Sequence, residues 1–493
     1  MDDISSSLED SGCQGPQRMN ITGAFFLASL LFSTWYVLAR LRINFTLSSV
    51  GILLLLAFHG PAYWIYTRYW IHGRTFMNKL YDSSTTAIGR PGTGKTPGGE
   101  VIPGYDHLAR LADDPAFDAA LANLDIAMGF VFFGSVLGIF LADRALKADH
   151  RQMSVALASW QASGLNSCLK HRWLKTTFWT LLAACSIALV FLYLQTGKLE
   201  LVYNYFFTVG SEIEKIRWRR EDGGFSYFWN LFFATVAVFT TVYAINEVRF
   251  SKVTALLVTV IFIALIVVGK MAYLSKAPVL VYVLQIGLAV IISRSLRVSR
   301  NAMVSLTAIL VGGALVMVFV ANSSMTGISS GLIFLFYRLF MIPNESLVEY
   351  FLAFPSYLSH TNGLDNRFIA FFLGEPKLLE SYWRVAETLR GVGGSTTTAM
   401  FIADAWAEFA WAGVVLFPIL LGALLRCLDT LLIVRLGKTS ASVAGLSLGY
   451  YGIFIALSTS LFTALLTGGL LMIPFLVLIS GFAQPWRPAG KVG

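Results

Sequence analysis

Residues 253–271 read VTALLVTVIFIALIVVGKM, and the first seventeen of them carry no charged side chain. A helix of this length is about 28 Å long, which matches the roughly 30 Å hydrocarbon core of a bilayer. Hydrophobic residues make up 56% of the 493-residue chain and charged residues only 13%, against about 25% in soluble domains. A chain this poor in charge cannot cover its surface in water, so the sequence predicts a polytopic membrane protein.

Ten further apolar stretches have comparable length, so we expect an all-α fold with about 11 (10–12) transmembrane helices. The expected spans are 21–39, 43–66, 123–142, 174–194, 226–246, 253–271, 278–293, 303–322, 404–433, 443–463 and 466–483. They divide the chain into four parts. These are a polar N-terminal tail (1–20), spans 1–8 with two long outward loops at 67–122 and 195–225 (21–322), a third, large outward loop with short interfacial helices (323–403), and spans 9–11 with a cytoplasmic C-terminal tail (404–493).

Lysine and arginine concentrate in five segments that fall on one side of an eleven-span arrangement. The segments are Arg40 with Arg42, residues 143–175, residues 294–302, Arg435 with Lys438, and Arg487 with Lys491. The positive-inside rule predicts that this side is the cytoplasm, so the three long loops face outward. The loop 195–225 carries arginines against this rule, which suggests that they bind an anion or form a solvated face beside neighbouring acids.

One loop contains GRPGTGKT at residues 89–96, which fits the phosphate-loop pattern of nucleotide-binding proteins. A phosphate loop needs a buried strand before it and a helix directly after it. The stretch DSSTTAI before the motif is polar, and PGGEVIPG after it opposes a helix. We therefore expect a Gly/Pro-rich outward loop and no bound nucleotide.

Residues 396–425, TTTAMFIADAWAEFAWAGVVLFPILLGALL, resemble the end of the large periplasmic loop of bacterial oligosaccharide repeat-unit polymerases (O-antigen polymerases, Wzy type). The stretches YRLF at 337–340 and GKMAYLSKAPVLVYVLQ at 269–285 are also similar to that family. The similarity extends over roughly 250–435. Lys276 stands where the family and the related O-antigen ligases have arginine, and Ser395 and the threonines after it occupy the region of the ligase histidine.

The resemblance implies a GT-C-like fold and a glycosyltransferase of the bacterial inner membrane with its active site facing the periplasm. Its substrates would be oligosaccharides linked to undecaprenyl pyrophosphate. A hydroxyl of one glycan would attack the anomeric carbon of another at the outer leaflet, and the lipid pyrophosphate would leave. No cofactor, metal, nucleotide or nucleic acid is expected, while the lipid bilayer and a chain-length regulator are candidate partners.

Four residues are candidates for the chemistry itself: Arg338, His360, Asp404 and Glu408. Arg338 lies in the apolar run LIFLFYRLFMI, where burying a cation costs free energy unless it binds a ligand or pairs with Glu345 or Glu349. Asp404 and Glu408 are spaced i, i+4 and share one helix face. The general base stays open between His360, Asp404, Glu408 and a group of the substrate itself.

Eight residues are candidates for holding the substrate: Lys276, Arg217, Arg219, Arg220, Arg367, Arg384, Arg390 and Thr397. Cations at the membrane edge would stabilise the negative charge that grows on a leaving pyrophosphate. Lys276 is equally compatible with an interfacial lysine that snorkels to the headgroups. Two other functions stay open, namely a ligase that moves a finished glycan to another acceptor and a flippase of lipid-linked oligosaccharide.

Overall fold

The computed structural model describes residues 21–70, 111, 114–147, 150–207, 227–273, 277–298, 304, 307, 312, 336–390 and 399–481. Its helices are α1 (Ile21–Tyr36), α2 (Leu47–His59), α3 (Pro61–Ile65), α4 (Phe117–Leu146), α5 (His150–Ala162), α6 (Arg172–Thr196), α7 (Lys198–Phe207), α8 (Tyr227–Leu231), α9 (Ala237–Val248), α10 (Val253–Met271), α11 (Ala277–Arg294), α12 (Ile342–Ala353), α13 (Arg367–Leu373), α14 (Ser381–Arg390), α15 (Phe401–Asp429), α16 (Ser440–Ser458), α17 (Leu461–Leu465) and α18 (Met472–Gly481). Short π-helical segments occupy Val37–Leu41, Tyr66–Trp70, Phe232–Val236, Tyr337–Met341 and Thr430–Arg435.

Within the described residues, eight helical stretches are long and apolar enough to cross a membrane. They are Ile21–Leu41, Leu47–Arg68, Phe117–Leu146, Arg172–Thr196, Phe228–Val248, Val253–Met271, Phe401–Arg435 and Ser440–Ser458. The all-α polytopic membrane fold is therefore confirmed. The seventh expected span forms the shorter helix α11. The eighth (303–322) lies almost wholly outside the described residues, and the GRPGTGKT stretch lies wholly outside them.

The end of the chain differs from the expected eleventh span at 466–483. Residues 466–471 form turns, and the helix α18 begins only at Met472. Gly469 adopts a φ of 85°, which side-chain-bearing residues rarely tolerate. A Cβ atom on Gly468 would lie 2.4 Å from the carbonyl oxygen of Ala464. The two glycines therefore turn the backbone where hydropathy alone predicts a continuous helix.

The centre of the bundle is the contact between α4 and α15, and glycines bring their backbones together. A Cβ atom on Gly138 would lie 2.0 Å from the carbonyl oxygen of Ile419, and one on Gly422 would lie 2.0 Å from that of Ser135. Small residues at helix interfaces allow this close approach in membranes, where packing replaces the hydrophobic effect as the driving force. At the end of the same contact Arg426 forms an ion pair with Asp143.

Four of the five basic segments meet on one face of the bundle, which we call the basic face. The amide of Phe45 donates to the carbonyl of Leu296 over 2.8 Å. The ammonium of Lys438 donates to the carbonyls of Ser163 and Arg294 over 2.9 and 3.1 Å. These bonds confirm that the segments share one side, as their charge predicts. The fifth segment, at the C-terminus, lies outside the described residues.

The helices α12 and α14 pack on the opposite face of the bundle, and α13 lies between them along the chain; we call these three helices the layer. Polar contacts attach the layer to the rest of the bundle. The hydroxyl of Tyr357 donates to Asp114 over 2.6 Å, just before α4 begins. Asn344 of α12 lies 3.0 Å from the ring of His59, beside the break at Gly60 and Pro61 that the sequence predicts as a kink.

We expect Gly138→Ala to destabilise the protein although alanine favours helices. The added methyl group meets a backbone carbonyl that cannot move aside, and overpacking of this kind costs about 1–3 kcal/mol. Thermal unfolding of the purified full-length protein in detergent measures the change. Gly287→Ala on α11 is the matched control, because a Cβ atom there meets nothing within 4 Å. An equal or higher Tm for Gly138→Ala would contradict the packing described for α4 and α15.

Candidate active site

The helix α15 bends sharply near its beginning. Ala410 has φ 51° and ψ −136°, and a Cβ atom on Gly413 would lie 2.3 Å from the carbonyl oxygen of Ala405. The part after the bend, Trp411–Arg435, is about 35 Å long and spans a hydrocarbon core of roughly 30 Å by itself. With residues 411–435 as the span, the part before the bend, residues 401–409, would lie at the membrane edge, on the face opposite the basic face. This part carries Asp404 and Glu408.

Three carboxyl groups meet beneath the layer. Asp365 lies in the loop after α12, and both its oxygens are held: the hydroxyl of Ser381 donates to Oδ2 over 2.6 Å and that of Thr361 to Oδ1 over 3.2 Å. Glu408 is within hydrogen-bonding range of Asp365, and Asp404 interacts electrostatically with both. Two carboxyl groups bond to each other only when one proton lies between them. The contact between Glu408 and Asp365 therefore requires that one of these two carboxyl groups carries a proton.

Tyr350 of α12 completes this acidic cluster. Its hydroxyl is hydrogen-bonded to Asp404, and its side chain is 1% exposed. Burial, together with the charge of Asp404, raises the pKa of Tyr350 well above its ordinary value. The phenol therefore keeps its proton and acts as a donor. Glu408, in contrast, has one buried oxygen, Oε2, without a hydrogen-bond partner among the described residues.

An aromatic wall stands beside the acidic cluster. The rings of Phe351 and Trp406 stack at 4.9 Å, and Trp411 meets the edge of Trp406 at 5.2 Å. The ring of His360 stacks on Phe354 at 5.9 Å and meets Trp406 at 5.2 Å. Trp406 is fixed by a 3.0 Å hydrogen bond from its indole to the carbonyl of Phe354. Phe351, Phe354 and Trp406 are buried, whereas Trp411 is 38% exposed, so the ring of Trp411 is the part of this wall that is open to a sugar.

Among the cations described at this end of the bundle, Arg384 and Lys270 lie against aromatic rings. The guanidinium carbon of Arg384 lies 5.6 Å from the centre of the Phe354 ring, and its Nη1 has no hydrogen-bond partner among the described residues. Lys270, at the end of α10, is 5% exposed and faces the ring of Tyr282 at 5.4 Å. The unpartnered Nη1 of Arg384 is able to bind an anion.

The structure brings four of the predicted site residues together: His360, Arg384, Asp404 and Glu408. Arg367 is the first residue of α13 and is exposed to solvent. Arg338 lies in the π-helical segment before α12 and Arg390 ends α14, but their side chains are outside the description. The remaining candidates lie outside the described residues: Lys276, Arg217, Arg219, Arg220 and Thr397.

Sequence reasoning missed Asp365, Tyr350 and Lys270. Asp365 looks like an ordinary loop aspartate, and its partner Ser381 is sixteen residues away, beyond α13. Tyr350 stands in an aromatic run where a single phenol is inconspicuous. Lys270 could have been found from the sequence, because a lysine at the end of an apolar span is as plausible an anion ligand as Lys276, six positions later.

In the part of the chain that the structure describes, no three His, Cys, Asp or Glu side chains are arranged as metal ligands. Comparison of the chain with protein-family models, with curated proteins and with solved structures gives no match. The geometry of the acidic cluster, the aromatic wall and the two cations is therefore the basis for any statement about function.

We expect Glu408→Gln to keep the stability of the wild type, because the amide donates to Asp365 without needing a proton. Glu408→Ala leaves Asp365 without this partner and should lower the free energy of unfolding by about 1–3 kcal/mol. The exposed Glu387 of α14 is the control, since Glu387→Ala should change the free energy of unfolding by less than about 0.5 kcal/mol. Equal stability of Glu408→Ala and Glu408→Gln would show that the carboxyl contact is not structural.

Proposed function

We propose that this protein polymerises lipid-linked oligosaccharide repeat units at the outer leaflet of a bacterial inner membrane. The observation that carries the proposal is the acidic cluster of Asp365, Asp404 and Glu408 at the membrane edge, with aromatic rings and Arg384 beside it. A buried, protonatable carboxyl next to sugar-binding surfaces is what hydroxyl activation requires. The resemblance of residues 250–435 to repeat-unit polymerases points to the same chemistry.

In the proposed reaction, a sugar hydroxyl of one lipid-linked glycan attacks the anomeric carbon of the second. A new C–O bond forms, the bond between the anomeric carbon and the pyrophosphate oxygen breaks, and the pyrophosphate takes the electron pair. The hydroxyl proton passes to Oε2 of Glu408, which has no protein partner among the described residues, while the proton that Glu408 shares with Asp365 moves to Asp365.

The leaving lipid pyrophosphate needs positive charge at the membrane edge. Arg384 and Lys270 are the two cations at this end that we assign to this role. Lys276 and Arg338 stay predictions for the same role. Lys276 lies outside the described residues, and only the backbone of Arg338 is described. Tyr350 holds Asp404 in place by its hydrogen bond and so positions the carboxyl groups.

The second candidate function is a flippase. The broken spans at Gly60 and Ala410 favour it, because interrupted helices are common in transporters. Transporter binding sites usually lie near the membrane midplane. Both breaks instead lie near the face that the layer covers, which suits an enzyme working at the membrane edge. Polymerisation therefore explains the position of these breaks better.

Mass spectrometry of lipid-linked saccharides from the native host with the gene deleted tests the proposal. Single repeat units should accumulate on outer-leaflet lipid while long polymer disappears. Long polymer that stays on the lipid but is missing from its final acceptor would make the protein a ligase. Single repeats trapped on the cytoplasmic leaflet would make it a flippase. Either of these two results overturns the proposal.

Glu408→Gln should lower polymer formation by a factor of about 10²–10⁴, as expected for loss of a general base. The amide retains the contact with Asp365, so the protein should reach the membrane in normal amount. Complementation of the deletion strain, with polymer length and protein level measured together, gives the answer. Normal polymer from Glu408→Gln would exclude Glu408 as the base and leave Asp404 and His360.

Arg384→Gln should reduce polymerisation more than Arg384→Lys. Lysine keeps the positive charge that stabilises the leaving pyrophosphate, although it lacks the planar guanidinium group. Lys377→Gln is the control, since Lys377 belongs to the same layer and is engaged with Glu380 at the surface. The same complementation assay applies. Equal activities of the glutamine and lysine variants would remove Arg384 from the reaction.

A further inference from the structure

A second polar cavity lies on the basic face, at the other end of the bundle from the acidic cluster. Its volume is about 320 Å³, at the lower end of the roughly 300–1,000 Å³ of small-molecule sites. It lies between the loop that joins α1 to α2, the helix α5 and the segment after α11. The lining residues include Arg40, Arg42, His150, Arg297 and Arg426.

The charge of this cavity is one-sided. Arg426 is buried and paired with Asp143, whereas Arg40, Arg42 and Arg297 are exposed at the rim. Within the described residues, no acidic side chain lines the cavity. Basic residues on a cytoplasmic face normally spread over loops and headgroups. Here three guanidinium groups from two distant parts of the chain surround one concave space.

The backbone of Arg42 is held in a conformation that ordinarily belongs to glycine. Its φ is 58° and its ψ is 157°, a region essentially closed to residues with a Cβ atom. The hydroxyl of Ser49 donates to the carbonyl of Arg42 over 3.0 Å and helps to fix this conformation. Strain of this kind persists where the surroundings impose it and is concentrated at ligand sites. An arginine in place of glycine indicates that the side chain is needed here.

We propose that this cavity binds a phosphate-bearing anion, which Arg40, Arg42 and Arg297 hold. Guanidinium groups bind phosphate oxygens through paired, charge-assisted hydrogen bonds. The anion is either the headgroup of an anionic lipid from the adjacent leaflet or a free phosphate compound. The site is separate from the acidic cluster, and its binding does not depend on the proposed polymerisation.

Native mass spectrometry of the detergent-purified full-length protein tests this site, with phosphatidylglycerol and inorganic pyrophosphate as the two probes. The variants are Arg40→Gln, Arg42→Gly, Arg297→Gln and the triple combination. Arg172→Gln is the matched control, because Arg172 is an exposed arginine near the same face that does not line the cavity. Each single variant should weaken binding about tenfold and the triple variant at least a hundredfold, while the control binds as the wild type.

The two probes identify the source of the anion. Specific binding of phosphatidylglycerol alone indicates a lipid headgroup, and specific binding of pyrophosphate indicates a free anion; both results support the site. Equal binding of each probe by the wild type, the control and the triple variant overturns it. Arg42→Gly should also keep or raise Tm, because glycine relieves the strained backbone. A lower Tm together with unchanged binding would count against the proposal.

A second measurement covers the case in which the triple variant does not fold. The wild-type protein is treated with an arginine-specific reagent, with and without each probe, and the modified peptides are identified by mass spectrometry. The anion should protect Arg40, Arg42 and Arg297 at least fivefold but leave Arg172 as reactive as before. Equal reactivity of all four arginines with and without both probes overturns the proposal.

Discussion

The close approach of α4 and α15 is the constraint on which the rest of the structure depends. Lipid tails are as apolar as the side chains of the bundle, so helices associate here through packing rather than through the hydrophobic effect. Gly138 and Gly422 remove the side chains that would keep the two backbones apart. With these helices fixed, Arg426 and Asp143 pair at one end of α15, and Asp404 and Glu408 are carried to the other end.

The bend at Ala410 turns this packing contact into a site. Without it, α15 would continue as one straight rod, and the acidic residues would project beside the bundle. The bend directs Phe401–Phe409 beneath α12 and α14, where Thr361 and Ser381 supply the hydroxyl groups that hold Asp365. Burying several carboxyl groups is unfavourable unless hydrogen bonds and protons compensate. The proposed function gives a reason for such a cluster at this position, since an apolar core could not activate a hydroxyl.

The sequence predicts the parts of this protein that follow simple periodic or compositional rules. Hydropathy places the span 253–271 with both ends correct, and lysine and arginine identify the segments of the basic face. Helical spacing also places Asp404 and Glu408 on one face. The bend at Ala410 could not be predicted, because alanine favours helices and the bend brings Gly413 close to the carbonyl of Ala405, a contact that no local pattern announces. Asp365 was missed for a related reason, since tertiary packing rather than local pattern joins it to Glu408.

The arrangement of charge constrains how a lipid-linked donor would lie in the proposed reaction. Its pyrophosphate is repelled by the acidic cluster, so it must approach from the side where Arg384 covers Phe354. The sugars would then extend along the exposed ring of Trp411, and an acceptor hydroxyl would have to reach Oε2 of Glu408. The same electrostatic reasoning separates the two ends of the bundle. Carboxyl groups at one end suit proton transfer, while the guanidinium groups around the cavity at the other end suit a stationary anion.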